Sequence, residues 1–184
     1  MINAANLLTM LRIAIVPFFV MSIKFENSQF FKLVALALFV IACLTDAVDG
    51  IIARKFNLIT NFGKFLDPLA DKILVSAAMV CFVELKLLNS TYLIIILFRE
   101  FLVTSLRLCL ALNQKVVAAN FLGKLKTVLQ ISAIILILCS HSFELGEVFK
   151  AFTNFSIMVA TIATVVSGAT YLIQNFKYII TATN

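Results

Sequence analysis

The chain has 184 residues, of which 62% are hydrophobic and 13% charged, with five Gly and two Pro. Its mean hydropathy is +1.09. A soluble domain carries about twice that charge, so disorder, a collagen repeat, a disulfide scaffold and a nucleic-acid arm are excluded, and a polytopic membrane protein remains.

About 20 apolar residues cross a bilayer as a helix. In chain order the predicted spans are Leu7–Ile23, Phe30–Ala53, Leu66–Leu85, Thr91–Leu112, Val116–Ser140 and Ala151–Phe176. The first is too long for a cleaved signal and carries no small-residue cleavage site. The connections are short and none is polar enough for a separate domain, so residues 1–184 are expected to form one all-α bundle of six transmembrane helices. No internal repeat is visible. Cys43, Cys81, Cys109 and Cys139 lie in apolar runs without metal-ligand spacing and are expected as small buried hydrophobes.

Fifteen Lys/Arg face nine Asp/Glu, a net charge of +6. Six spans put both termini on one side, with Arg12, Arg54, Lys55, Lys64, Lys115, Lys124 and Lys177. The other side holds Lys24, Lys32, Lys86 and Lys150, balanced by Glu26, Glu84, Glu144 and Glu147. The basic excess predicts that the termini and the Arg54–Gly63 connection are cytoplasmic. His141 falls in the outer loop and is expected as a solvated surface residue.

The remaining acids, Asp46, Asp49, Asp67, Asp71 and Glu100, lie within or at the ends of spans. Each ionised group there costs about 2.5–3.5 kcal/mol to insert, so each must be paired, bind metal or line a wet cavity. Asp46 and Asp49 are three apart, Asp67 and Asp71 four apart, so each pair shares one helix face. The short loop between them predicts antiparallel neighbours with converging acidic faces. Four carboxylates together need cations. Hard divalent ions, Mg²⁺ or Mn²⁺, suit oxygen ligands, and the absence of His or Cys between Asp46 and Asp71 argues against zinc. Gly50 and Ala53 leave room beside the aspartates, and Gly63 lies one turn before Asp67. Pro68 is expected in the first turn of its helix, where a missing amide donor is harmless. Arg54 offers a planar fork suited to phosphate. Intramembrane ion pairs such as Asp49 or Asp71 with Lys72 are a plainer alternative, but two acidic faces with glycines exceed what packing needs. A divalent-cation transporter is another, although these acids lie near the cytoplasmic ends and not the midplane.

The pattern D-x-x-D-G-x-x-A-R-x8-G-x3-D-x3-D is complete from Asp46 to Asp71. It resembles the signature of the CDP-alcohol phosphotransferase family. The resemblance implies a six-helix membrane enzyme, usually a homodimer, that displaces CMP from a CDP-linked donor with an alcohol. It implies two metal ions held by Asp46, Asp49, Asp67 and Asp71, with Asp71 also the general base. Gly50, Ala53, Arg54 and Gly63, with Asp46 and Asp67, would line the CDP site.

Arg99 and Arg107 in the fourth span, and Lys124 and Lys126 at the start of the fifth, add cations of which Glu100 is expected to satisfy one. The surplus predicts an acceptor that carries a phosphate, whereas choline would favour an aromatic cage. Headgroup-level placement of these cations is the plainer alternative. Asn6-Leu-Leu-Thr9-Met-Leu-Arg12, Arg99-Glu100…Arg107 and Gly123-Lys124-Leu-Lys126-Thr127 resemble the family branch that joins CDP-diacylglycerol to sn-glycerol 3-phosphate. Inositol phosphate, serine or phosphatidylglycerol are the alternative acceptors. Arg12 is expected either as a lipid-headgroup anchor or near the nucleotide. The implied setting is a bacterial inner membrane, the site facing the cytoplasm among membrane lipids, with no nucleic-acid partner.

Overall fold

The computed structural model describes the backbone of residues 4–25, 28–55, 61–112 and 121–182. Side chains are described for 7–25, 28–46, 69–70, 72–110 and 121–175. Among these residues the structure is all helical: α1 Ala4–Lys24, α2 Gln29–Lys55, α3 Asn61–Glu84, α4 Ser90–Leu112, α5 Phe121–Ser142 and α6 Glu147–Ala182. Segments 7–24, 29–46, 121–142 and 147–175 are long and apolar enough to cross a membrane. α4 falls short of that apolar standard because every stretch of 18 residues in it contains Arg99, Glu100 and Arg107. α3 likewise carries Asp67, Asp71 and Lys72.

Two boundaries shift from expectation. α3 starts at Asn61, so Pro68 is its eighth residue and not in the first turn. α6 starts at Glu147, whose carboxylate suits the positive end of the helix dipole. The predicted start of the fifth span, Val116, lies outside the described residues.

α1 packs on both α2 and α3, and α6 packs on both α4 and α5. Contacts of α2 with α5, and lesser ones of α3 with α4 and α5, join the two three-helix halves. The expected meeting of α2 with α3 falls on Asp49, Asp67 and Asp71, whose side chains lie outside the described residues; among the described residues both helices pack chiefly on α1. Ala35, Ala42, Ala78, Ala133 and Ala160 are fully buried. Small side chains let backbones approach, which matters where lipid gives helices no hydrophobic drive to associate. Phe19 and Phe39 fill the space between α1 and α2, ring centroids 5.9 Å apart. Phe18, Phe98, Phe101 and Ile173 face outward, as a lipid solvent favours.

α3 and α5 end in the same way. Lys86 and Glu144 adopt left-handed backbones (φ 57° and 49°), and the following amides, of Leu87 and Leu145, donate back to the Phe82 and Ser140 carbonyls. These are Schellman closures without glycine. At this end of the bundle the described acids are paired off: Lys24 with Glu84 at 3.0 Å, Lys32 with Glu144 at 2.9 Å and Lys150 with Glu147 at 2.8 Å. Gln29 donates to the Ser142 carbonyl and Ser142 Oγ to the Lys32 carbonyl, so α2 is clasped to the end of α5. His141 departs from expectation: it sits in the last turn of α5, half-buried. Cys109 also departs, being exposed, while Cys81 is buried and Cys43 and Cys139 are half-buried.

Lys32, through its hydrogen bond and its charge, holds the Glu144 carboxyl below the usual glutamate range. A carboxylate with a depressed folded value adds stability above its unfolded value and loses it as pH falls through the folded one. Acidification from neutrality to about pH 3 is therefore expected to lower the thermal midpoint more in the wild type than in Glu144→Gln. Equal acid sensitivity of the two proteins would show that this pair contributes nothing.

Candidate active site

At the other end of the bundle the two halves enclose a cavity of about 790 Å³. Its charged and polar walls come from five helices: Arg12 of α1, Asp46 of α2, Lys72 of α3, Arg99, Glu100 and Arg107 of α4, and Lys124, Lys126 and Gln130 of α5. The remaining lining is largely apolar, with Leu74, Met79, Ile96 and Val103. Charged groups that must avoid lipid thus meet in one interior cavity.

Arg12 is 1% exposed, and its Nη1 lies 2.8 Å from Asp46 Oδ1. A buried guanidinium demands an anion, and this pairing removes Arg12 from the headgroup region. The anchor expectation is corrected. Asp46, its side chain 42% exposed, still presents to the cavity.

The far wall is a network centred on Glu100. Its Oε1 accepts from Arg99 Nη1 at 3.3 Å and from Lys126 Nζ. One carboxylate therefore holds two cations, where one was expected. Arg99 Nη2 donates to Ser167 Oγ of α6 at 2.8 Å in a buried bond. Arg99 also runs across Gly168: a Cβ there would lie 2.8 Å from Arg99 Cγ and 3.2 Å from its Nε. Thr104 Oγ1 donates to the Glu100 carbonyl at 2.7 Å and accepts from Lys72 Nζ. Gln130 donates to Thr164 Oγ1 at 2.9 Å, tying α5 to α6.

Arg107 and Lys124 differ from these. Both line the cavity, and neither is paired with a carboxylate among the described residues. Arg107 rests instead over the ring of Tyr171, 5.3 Å from its centroid.

Of the residues singled out by the spacing, Asp46, Arg99, Arg107, Lys124 and Lys126 come together around this cavity. Asp49, Gly50, Ala53 and Arg54 continue α2 beyond Asp46, and Gly63, Asp67 and Asp71 lie on α3 just before Lys72. The side chains of these seven lie outside the described residues. The spacing gave no role to Thr104, Ser167, Gly168 or Tyr171. Their one signal was the small pair Ser167-Gly168 within an apolar helix, a pattern that packing alone also produces.

The profile of the CDP-alcohol phosphatidyltransferases matches residues 2–173, which include every cavity-lining helix from α1 to α5 and most of α6. The chain belongs to the CDP-alcohol phosphatidyltransferase family. It is thus an enzyme of that class, and the likeness carried by Asp46 to Asp71 extends over nearly the whole chain. A Bacillus subtilis (strain 168) protein named CDP-diacylglycerol--glycerol-3-phosphate 3-phosphatidyltransferase is 45% identical over 188 residues, covering 96% of this chain and 97% of the relative. A Rickettsia felis protein of the same name is 39% identical over 178 residues, covering 96% and 97%. A probable phosphatidylglycerophosphate synthase of Mycobacterium tuberculosis is 40% identical over 134 residues, 72% of this chain and 64% of that one. For a phosphatidyltransferase, the surplus cations on one wall can hold a phosphate directly, whereas a carboxylate on the other can do so only through a cation.

Proposed function

We propose that this chain transfers the phosphatidyl group of CDP-diacylglycerol to sn-glycerol 3-phosphate, releasing CMP and forming phosphatidylglycerophosphate. The observation that carries the acceptor choice is the pair Arg107 and Lys124, which face the cavity without a carboxylate partner among the described residues. An uncharged alcohol gives them nothing to neutralise, whereas a phosphate does. The names of the relatives point to the same acceptor.

In this reading Asp46, Asp49, Asp67 and Asp71 hold a pair of divalent ions, Mg²⁺ or Mn²⁺. An all-carboxylate donor set fits such hard ions. The metal pair, when bound, neutralises charge on the diphosphate and on the departing CMP. Gly50, Ala53, Arg54 and Gly63 accommodate the CDP moiety. Arg107 and Lys124, with Arg99 and Lys126 behind them, orient the acceptor by its phosphate. Asp71 takes the proton from the acceptor hydroxyl as that oxygen attacks the phosphorus bearing diacylglycerol. The bond from that phosphorus to the bridging oxygen breaks, and CMP leaves. The apolar lining lowers the water content around the diphosphate and disfavours hydrolysis. The donor's acyl chains lie between helices in a bacterial inner membrane, the cavity opens to the cytoplasm, and the working unit is a homodimer.

The test is CMP release by purified protein given CDP-diacylglycerol and, in turn, glycerol 3-phosphate, inositol phosphate, serine and phosphatidylglycerol. Glycerol 3-phosphate is expected to support the fastest release. Faster release with another acceptor reassigns the substrate, and metal flux without CMP release would replace the enzyme reading by a transporter.

A further inference from the structure

α4 carries two arginines eight residues apart, about two helical turns, and both meet a single turn of α6. Their environments differ. Arg99 is 9% exposed. One Nη donates to Ser167, the other to Glu100, and Nε is buried with no hydrogen-bond partner. Its stem occupies the space that Gly168 leaves by having no side chain. Every end of this fork is either used or enclosed, so little of it remains for a substrate oxygen. Arg107 is exposed and lies over Tyr171, which is itself 4% exposed. A ring against a guanidinium restrains the cation without using its N–H donors, which leaves them for a phosphate.

We propose that Ser167, Gly168 and Tyr171 are positioning residues that divide the work of the two arginines. Ser167 and Gly168 hold Arg99 as a strut that orients Glu100 and, through it, Lys126. Tyr171 seats Arg107 as the planar ligand of the acceptor's phosphate. This inference rests on the acceptor-site reading above. It adds that α6, which contributes none of the residues expected at the site, sets how tightly the acceptor is held.

Two pairs of variants test it, with sn-glycerol 3-phosphate and inorganic phosphate as binding probes on the purified full chain, alongside CMP release and thermal midpoint. Tyr171→Leu is expected to weaken binding of both probes about tenfold, with the KM for CDP-diacylglycerol within about twofold of wild type. Tyr171→Phe, which keeps the ring, is expected to bind within about twofold of wild type. Arg107→Lys is expected to lose acceptor affinity at an unchanged thermal midpoint. Arg99→Lys is expected to lower the midpoint and to affect acceptor affinity less. Unchanged binding in Tyr171→Leu, an equal loss in Tyr171→Phe, or an acceptor loss in Arg99→Lys matching that of Arg107→Lys at a wild-type midpoint would each overturn the proposal. If the wild type binds phosphate but releases no CMP with glycerol 3-phosphate, the functional reading fails, and the binding comparison still decides the role of Tyr171. If the wild type binds neither probe, both fail.

Discussion

Asp71→Asn is expected to abolish CMP release while leaving binding of CDP-diacylglycerol measurable. The substitution preserves shape and hydrogen-bonding capacity but removes the one lone-pair set basic enough to take the acceptor's proton. General-base catalysis supplies about 10²- to 10⁴-fold, and a weakened metal site adds to the loss. The position supports this role: Asp71 precedes Lys72, which lines the cavity, and lies one turn after Asp67 on α3. The measurement is a pair of assays on one preparation, CMP release and retention of radiolabelled donor. Normal turnover would remove Asp71 from the chemistry. Loss of donor binding together with turnover would make it a binding ligand only.

Glu100→Gln is expected to have the largest effect on stability. Glu100 Oε1 is shared by Arg99 and Lys126, whose side chains are 10% and 9% exposed. Without the carboxylate, two enclosed cations face each other across an amide that can accept from them but cannot neutralise them. Removing one partner of a buried ion pair leaves an uncompensated charge, a loss on the order of 3 kcal/mol. The expected result is a lower thermal midpoint in detergent and a reduced folded yield, with partial recovery in Glu100→Asp. A midpoint equal to the wild type would show that the network does not hold α4 to α5. Because Lys126 and Arg99 line the cavity, acceptor affinity should fall as well. That fall distinguishes Glu100→Gln from Glu144→Gln, whose pair lies at the opposite end of the bundle.

Several elements were legible from spacing alone. Periods of apolar residues gave helices whose ends match the structure within a few residues for α1, α2 and α4. The charge split between the ends also emerged correctly, because lone charges in apolar runs have few places to go: Lys24, Lys32 and Lys150 all meet glutamates at one end. The start of α3 was missed because Pro68 reads as a helix opener, whereas the helix carries it as its eighth residue, in the third turn. The expected convergence of α2 and α3 falls on side chains outside the described residues, and among the described ones both helices pack chiefly on α1.

Composition and spacing were sufficient for the class of protein, the helical architecture and the carboxylate-rich segment, since each follows from local periodicity and from the cost of charge in lipid, while the family came from the resemblance carried by the pattern from Asp46 to Asp71. Tertiary packing alone decided that Arg12 pairs with Asp46, that Glu100 serves two cations, and that Ser167, Gly168 and Tyr171 stand behind the α4 arginines. Apart from Arg99 with Glu100, these pairings join residues from different helices, 68 positions apart for Arg99 and Ser167. Sequence proximity carries no information at that range. Only the fit of one helix surface against another selects the partner.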